Sequence, residues 1–138
     1  MSRGRRVLVA TDHHHTPTVA LKQAAALAGP GGEVVLAAVL VVPMAQPLGA
    51  SLEGAAAAAC EVLERAERKF DGAFEFDTRL VRVRSFAEGV LQLLDGEPFD
   101  LLVLERRRGA SPGDTQAAEI EAILDRARVT VTVVLPAD

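Results

Sequence analysis

Tryptophan and tyrosine are absent, cysteine occurs once, and only two of the 138 residues are lysine. Each shortage removes a class of function. Five Phe are the only aromatic residues, which leaves little to stack bases on and argues against single-stranded nucleic acid as a ligand. One thiol, Cys60, forms no internal disulfide, so a reducing cytoplasm is the default compartment. Lys22 and Lys69 both read as helix-surface residues, so lysine chemistry has little to work with. The longest apolar run, Val34 to Val42, has nine residues, where a membrane helix needs roughly 17–25. Val7 to Thr11, behind the basic start, is too short for a secretory signal, and no small-residue cleavage site follows. A basic surface is missing too. The formal charge is −4 and the pI about 5.4, against generic nucleic-acid binding.

What is present is ordinary for a folded protein: 49% hydrophobic and 25% charged residues, over a length that fits one domain spanning residues 1–138. Arg6 to Thr11 is a short β-branched run and predicts a strand. Thr16-Pro17 predicts a helix start, with a hydroxyl at the cap and proline at the first helical position, and Gly29-Pro30-Gly31-Gly32 a stop near Ala28. Glu33 to Val42 is a second strand, apolar without alternation, as expected when both faces are covered. From Ser51, Leu52, Ala56, Ala59, Leu63, Ala66 and Phe70 line up one stripe of a long helix. Asp77 to Arg84 alternates and predicts a strand at or near a sheet edge.

Ser85 with Glu88 is a capping box opening a third helix that ends near Asp95-Gly96. Phe99 to Leu104 is a fourth strand. Asp114 can cap a fourth helix with Ile120, Ile123 and Leu124 inward, and Val129 to Leu135 is the last strand. Alternation of this kind predicts an α/β fold, an open five-stranded parallel sheet with helices on both faces. Right-handed crossovers allow the strand order 3-2-1-4-5.

In such a sheet ligands bind beyond the carboxyl ends of the strands where the order reverses, here between the first and fourth strands. The loops at that point are Asp12-His13-His14-His15 and Glu105-Arg106-Arg107-Arg108-Gly109, the two most polar stretches of the chain. Neighbouring histidines point in opposite directions, whereas zinc motifs separate their ligands by two or more residues, so no metal site is expected. The arginines could take an anion, since guanidinium matches phosphate bidentately, or remain solvated charge paired with Glu105 or Asp114. Cys60 reads as an inert core thiol and Ser85 as a cap and not a nucleophile. No catalytic residue is expected.

V-L-V-A-T-D at Val7–Asp12, Ala20-Leu21, V-L-V-V-P at Val39–Pro43, the long second helix, F-D-L-L-V-L at Phe99–Leu104 and R-A-R-V-T-V-T-V-V-L-P at Arg126–Pro136 together resemble the universal stress protein family over nearly the whole chain. The resemblance implies a Rossmann-like fold of the adenine nucleotide alpha hydrolase type. It implies that Asp12 matches the aspartate that contacts adenosine in ATP, with Val39 beside it. It also implies a phosphate motif, G-x2-G-x9-G-[ST], after the fourth strand. Glu105 and Arg108 stand where its first two glycines belong, and Ala117-Ala118 lies near the expected Gly-Ser.

Those glycines allow close backbone approach to phosphate; a Cβ blocks it, and Glu105 adds negative charge. ATP binding is therefore expected to be lost and no cofactor is expected, with ATP or AMP the candidates if one binds. The leading expectation is a non-catalytic, dimeric stress-response or regulatory module. The alternatives are a nucleotide- or anion-binding member using Asp12, His13–His15 and Arg106–Arg108, and a nucleotidyl-transferring or nucleotide-hydrolysing enzyme. Adenylyl-transferring enzymes of this fold carry H-x-G-H in the first loop; His13-His14-His15-Thr16 has neither its glycine nor its spacing. Members of the family commonly pair through the last strand. Val129, Thr130, Val131, Thr132, Val133 and Val134 are uncharged and β-branched throughout, which predicts a homodimer there. Neither nucleic acid nor a membrane is an expected partner.

Overall fold

A computed structural model of the chain describes residues 4–12, 16–47, 52–70, 74–106 and 115–135. The apolar runs form strands and the periodic stretches form helices. In chain order they are β1 (Arg6–Thr11), α1 (Thr18–Ala28), β2 (Glu33–Val41), α2 (Glu53–Phe70), β3 (Glu75–Val83), α3 (Phe86–Gly96), β4 (Leu101–Glu105), α4 (Thr115–Arg126) and β5 (Thr130–Val134). The sheet has five strands in the order β3-β2-β1-β4-β5 among the described residues, and every pairing is parallel.

Register sorts the side chains. Val7 stands opposite both Val34 and Leu101, so Val7, Val9, Val34, Leu36 and Val103 share the face covered by Leu21 of α1 and Leu63 and Phe70 of α2. Leu8, Val35, Val39, Leu102 and Leu104 share the other, under Val90 of α3 and Ile120 and Ile123 of α4. β1 and β2 are thus buried on both faces, which is why their sequences do not alternate. β3, at one edge, is half wet, as its alternation predicted.

Local signals close the elements. Gly29 and Gly31 take φ of +70° and +78°, which a side chain rarely adopts, and turn the chain out of α1. Ser85 Oγ accepts the Glu88 amide at 3.2 Å, the predicted cap of α3. Glu119 Oε2 adds a second acceptor there, 2.8 Å from the Ala87 amide, and ties α4 to α3.

Three expectations are corrected. Thr16 does not cap α1: the helix opens with Pro17 at the cap and no side-chain hydrogen bond. Cys60 is exposed and not in the core. Buried Val62, outside the expected stripe, pulls the inner arc of α2 away from it; at roughly 100° per residue Cys60 lies about 110° from the arc's centre. Leu124 is 50% exposed, because Ile120 and Ile123 take the inner face and Leu124 lies about 100° past Ile123. Asp114, the predicted cap of α4, lies outside the described residues.

α3 approaches the sheet closely at Gly89, where an added Cβ would lie 2.9 Å from Val83 Cγ2 and 3.1 Å from Val39 Cγ1. Helix propensity favours Ala over Gly by about 1 kcal/mol, and overpacking a core costs about 1–3 kcal/mol. Gly89→Ala is expected to lose about 1 kcal/mol net, read as a lower urea midpoint. A raised midpoint would show that the two valines yield.

Candidate functional site

The order reverses between β1 and β4, so their carboxyl ends frame the candidate site. Thr11 closes β1, buried at 4% exposure, and Asp12 follows it half-buried. Glu105 closes β4 and Arg106 follows, both half-buried. The fold thus brings Asp12, Glu105 and Arg106 to one place, as the strand order required. His13, His14, His15, Arg107, Arg108 and Gly109 lie outside the described residues. Val39 is wholly buried in β2, beneath Gly89 of α3. Ser85 lies at the start of α3, where its hydroxyl is engaged as the cap.

Glu105 has a definite task here. Its Oε1 accepts the backbone N–H of Val19, 86 residues away, at 3.2 Å. Val19 is the second residue of α1, and α1 has no acidic residue in its first turn and no side-chain cap of its own. The first-turn amides of a helix lack intrahelical partners and carry the positive end of its dipole. Glu105 supplies the missing negative charge from β4. Thr16, just before the helix, leaves its Oγ1 buried with no hydrogen-bond partner among the described residues.

The neighbouring crossover is strapped as well: Arg84 donates from the end of β3 to the carbonyls of Pro43 and Gln46, at 2.6 and 2.5 Å. Arg106 extends the β4–β5 ladder, its amide 2.9 Å from the Val134 carbonyl. β5 carries Thr130, Val131, Thr132, Val133 and Val134 at the outer edge of the sheet, with Val129 just ahead of it.

A second charged cluster, unforeseen in the sequence, sits at the opposite end of the sheet. Glu97, just past α3, accepts Arg6 of β1 at 2.8 Å and Arg79 of β3 at 3.0 Å, while Arg6 also reaches Glu33 of β2 at 2.6 Å. Arg79 further pairs with Asp77, and the Arg6 guanidinium lies over the Phe99 ring. Hydrogen bonds from Arg79 and Arg6 hold the Glu97 carboxyl below the usual carboxylate range. The hydrogen bond from Arg79 does the same for Asp77. Because the partners come from different elements, no spacing in the sequence marks them. The cluster pins three strands to the end of α3 and lies away from the switch point.

Among the described residues no group of three or more His, Cys, Asp or Glu could hold a metal ion. Nor is any helix among them long and apolar enough to cross a membrane.

An open parallel sheet in the order β3-β2-β1-β4-β5, with a switch point between β1 and β4, defines a Rossmann-like α/β protein. The profile of the Universal stress protein family matches residues 4–134, and the chain belongs to that family. Solved structures agree in fold. A universal stress protein in complex with cAMP is 22% identical, with a TM-score of 0.66 over 99% of this chain and 100% of that one. A family member from Burkholderia pseudomallei is 24% identical, with a TM-score of 0.70 over 99% of each chain. A universal stress protein from Archaeoglobus fulgidus is 18% identical, with a TM-score of 0.64 over 95% of this chain and 93% of that one. No curated protein matches the sequence.

Proposed function

We propose that this chain is a non-catalytic universal stress protein module that acts as a homodimer and has given up ATP binding. The observation that carries this reading is the Glu105 carboxylate on the Val19 amide. Where the family's phosphate motif places a glycine, this chain has a fixed negative charge at the mouth of the switch point, next in space to the end of β1. A triphosphate brought there meets a carboxylate already bonded to the helix, with the Glu105 side chain in the way of close backbone approach. The dimer is supported by the uncharged outer edge of β5.

ATP with magnesium is expected to bind no more tightly than about 1 mM, equivalent to about −4 kcal/mol. Calorimetry with ATP, AMP and cAMP tests it; cAMP belongs in the set because a universal stress protein of the same fold was solved with it. A micromolar dissociation constant for ATP, or release of phosphate from it, would overturn the reading.

A further inference from the structure

We propose that the turn 43–47 between β2 and α2 is a movable segment held in place by one side chain, with the Arg84 guanidinium as its latch. The proposal stands apart from the function proposed above and holds whether or not a nucleotide binds. β2 outruns β1: the last pair between them is Thr11 with Ala38, and β2 continues to Val41. The turn that follows therefore stands beyond the carboxyl end of β1, on the β2 side of the switch point. Burial does not hold it. Pro43, Met44, Ala45, Gln46 and Pro47 are all exposed, Met44 at 81%. Hydrogen bonds do. The Gln46 amide donates to the Pro43 carbonyl at 3.0 Å, and Arg84 Nη1 donates to the carbonyls of both Pro43 and Gln46. One nitrogen thus ties down both ends of the turn.

The surroundings of the turn are firm. Val42, just ahead of it, is wholly buried, and its amide donates to the Val83 carbonyl at 2.7 Å. Arg84 itself rises from a fixed base: Val83 pairs with Val41 just before it, and Ser85 caps α3 just after. The hold is also of a releasable kind. Arg6 and Arg79 are pinned by carboxylates. Arg84 pairs with no carboxylate among the described residues; it bonds neutral carbonyls, and both bonds are exposed to water. Each exposed bond of this sort shifts an equilibrium by roughly threefold to tenfold. That is enough to keep the turn ordered and little enough for water to release it. Local opening of this kind draws on segments with few buried contacts and solvent-exposed hydrogen bonds.

The test is amide NMR on the full chain against Arg84→Met, which keeps an unbranched side chain and removes every donor. In the unaltered chain the Met44 and Ala45 amides are expected to show order parameters near those of rigid backbone, about 0.85, and in Arg84→Met to fall below about 0.6. Exchange of the Gln46 amide with water should quicken at least about tenfold. Exchange of the Val42 amide, four residues earlier and bonded to β3, should stay as it was. The loss of global stability is capped at what the latch itself contributes, so the melting temperature should fall by no more than about 4 °C. Order and exchange at 44–46 that do not respond to the substitution overturn the proposal, because something other than Arg84 then holds the turn. A turn already mobile in the unaltered chain overturns it as well. So does an Arg84→Met chain that fails to fold, or one in which Val42 loosens together with Gln46, because the side chain is then part of the frame and not a latch.

Discussion

Replacing Glu97 by Gln is expected to lower the unfolding free energy by about 2 kcal/mol at pH 7, and the melting temperature by roughly 5–10 °C. One carboxylate satisfies two guanidinium groups from β1 and β3, with Oε1 shared and Oε2 accepting Arg79 Nε at 3.2 Å. The side chains of Arg6, Arg79 and Glu97 are 24%, 30% and 25% exposed. Breaking a fully buried pair costs about 3–5 kcal/mol and an exposed one about 0–1; this site lies between. The loss is asymmetric, because a neutral amide in place of the carboxylate would leave two like charges facing each other across β2. Asp77, more than half exposed, offsets little of it.

The same substitution should reshape the acid limb of the stability curve. Glu97 is depressed by hydrogen bonds from Arg79 and then Arg6. Its contribution is complete above the ordinary glutamate range, near pH 4.3, and is lost as pH falls through the depressed native value. Arg6 and Arg79 are raised by their carboxylate partners and stay charged throughout this window. The unaltered chain should therefore lose stability steeply below about pH 4.5, while Glu97→Gln follows a flatter curve and the two converge in acid. Denaturant midpoints between pH 3 and 7 measure this. Parallel curves would show that Glu97 is not the carboxylate that matters.

That cluster marks the limit of what could be read from the chain. Runs such as Val34–Val42 declare a two-sided strand because covering both faces forces every position to be apolar. Arg79, Val81 and Val83 declare an edge because one side meets water. These are local consequences of layering, and strand order then follows from crossover handedness. Glu97 carries no such signal: its partners are 91 and 18 residues away, and each arginine looks like ordinary surface charge. Glu105 was legible in part. Strand order placed it at the switch point, but nothing in the sequence indicated that it would reach the start of α1. Cys60 was misjudged because a stripe drawn through alanines is imprecise. Ala56 and Ala59 say little about which way the helix faces, and Val62 decides it.

The two edges of the sheet are built differently, and this yields the remaining large effect. β3 carries Glu75, Asp77, Arg79 and Arg82, charges that discourage another strand from pairing with it. β5 reads Thr130-Val131-Thr132-Val133-Val134, with none. The Arg106 amide bonds the Val134 carbonyl, so Thr130, Thr132 and Val134 turn their backbone groups toward β4. Val131 and Val133 therefore turn theirs outward. Val133 and Leu135 remain 36% and 56% exposed, and Leu124 of α4 is 50% exposed, so apolar surface accompanies the open backbone groups. A second copy presenting the same strand antiparallel satisfies those groups through a closed two-fold contact. Light scattering of the unaltered chain at tens of micromolar is expected to return twice the 14.6 kDa subunit mass. Val131→Lys puts a charge mid-strand and should give the subunit mass. Because Val131 also packs against the α3–α4 face of the core, Val133→Pro is the cleaner probe: it removes an outward N–H and leaves the β4 ladder intact. It should yield folded monomers with the circular dichroism of the parent. A parent that is itself monomeric would overturn the dimer, and a Val133→Pro variant that stays dimeric would move the interface off β5.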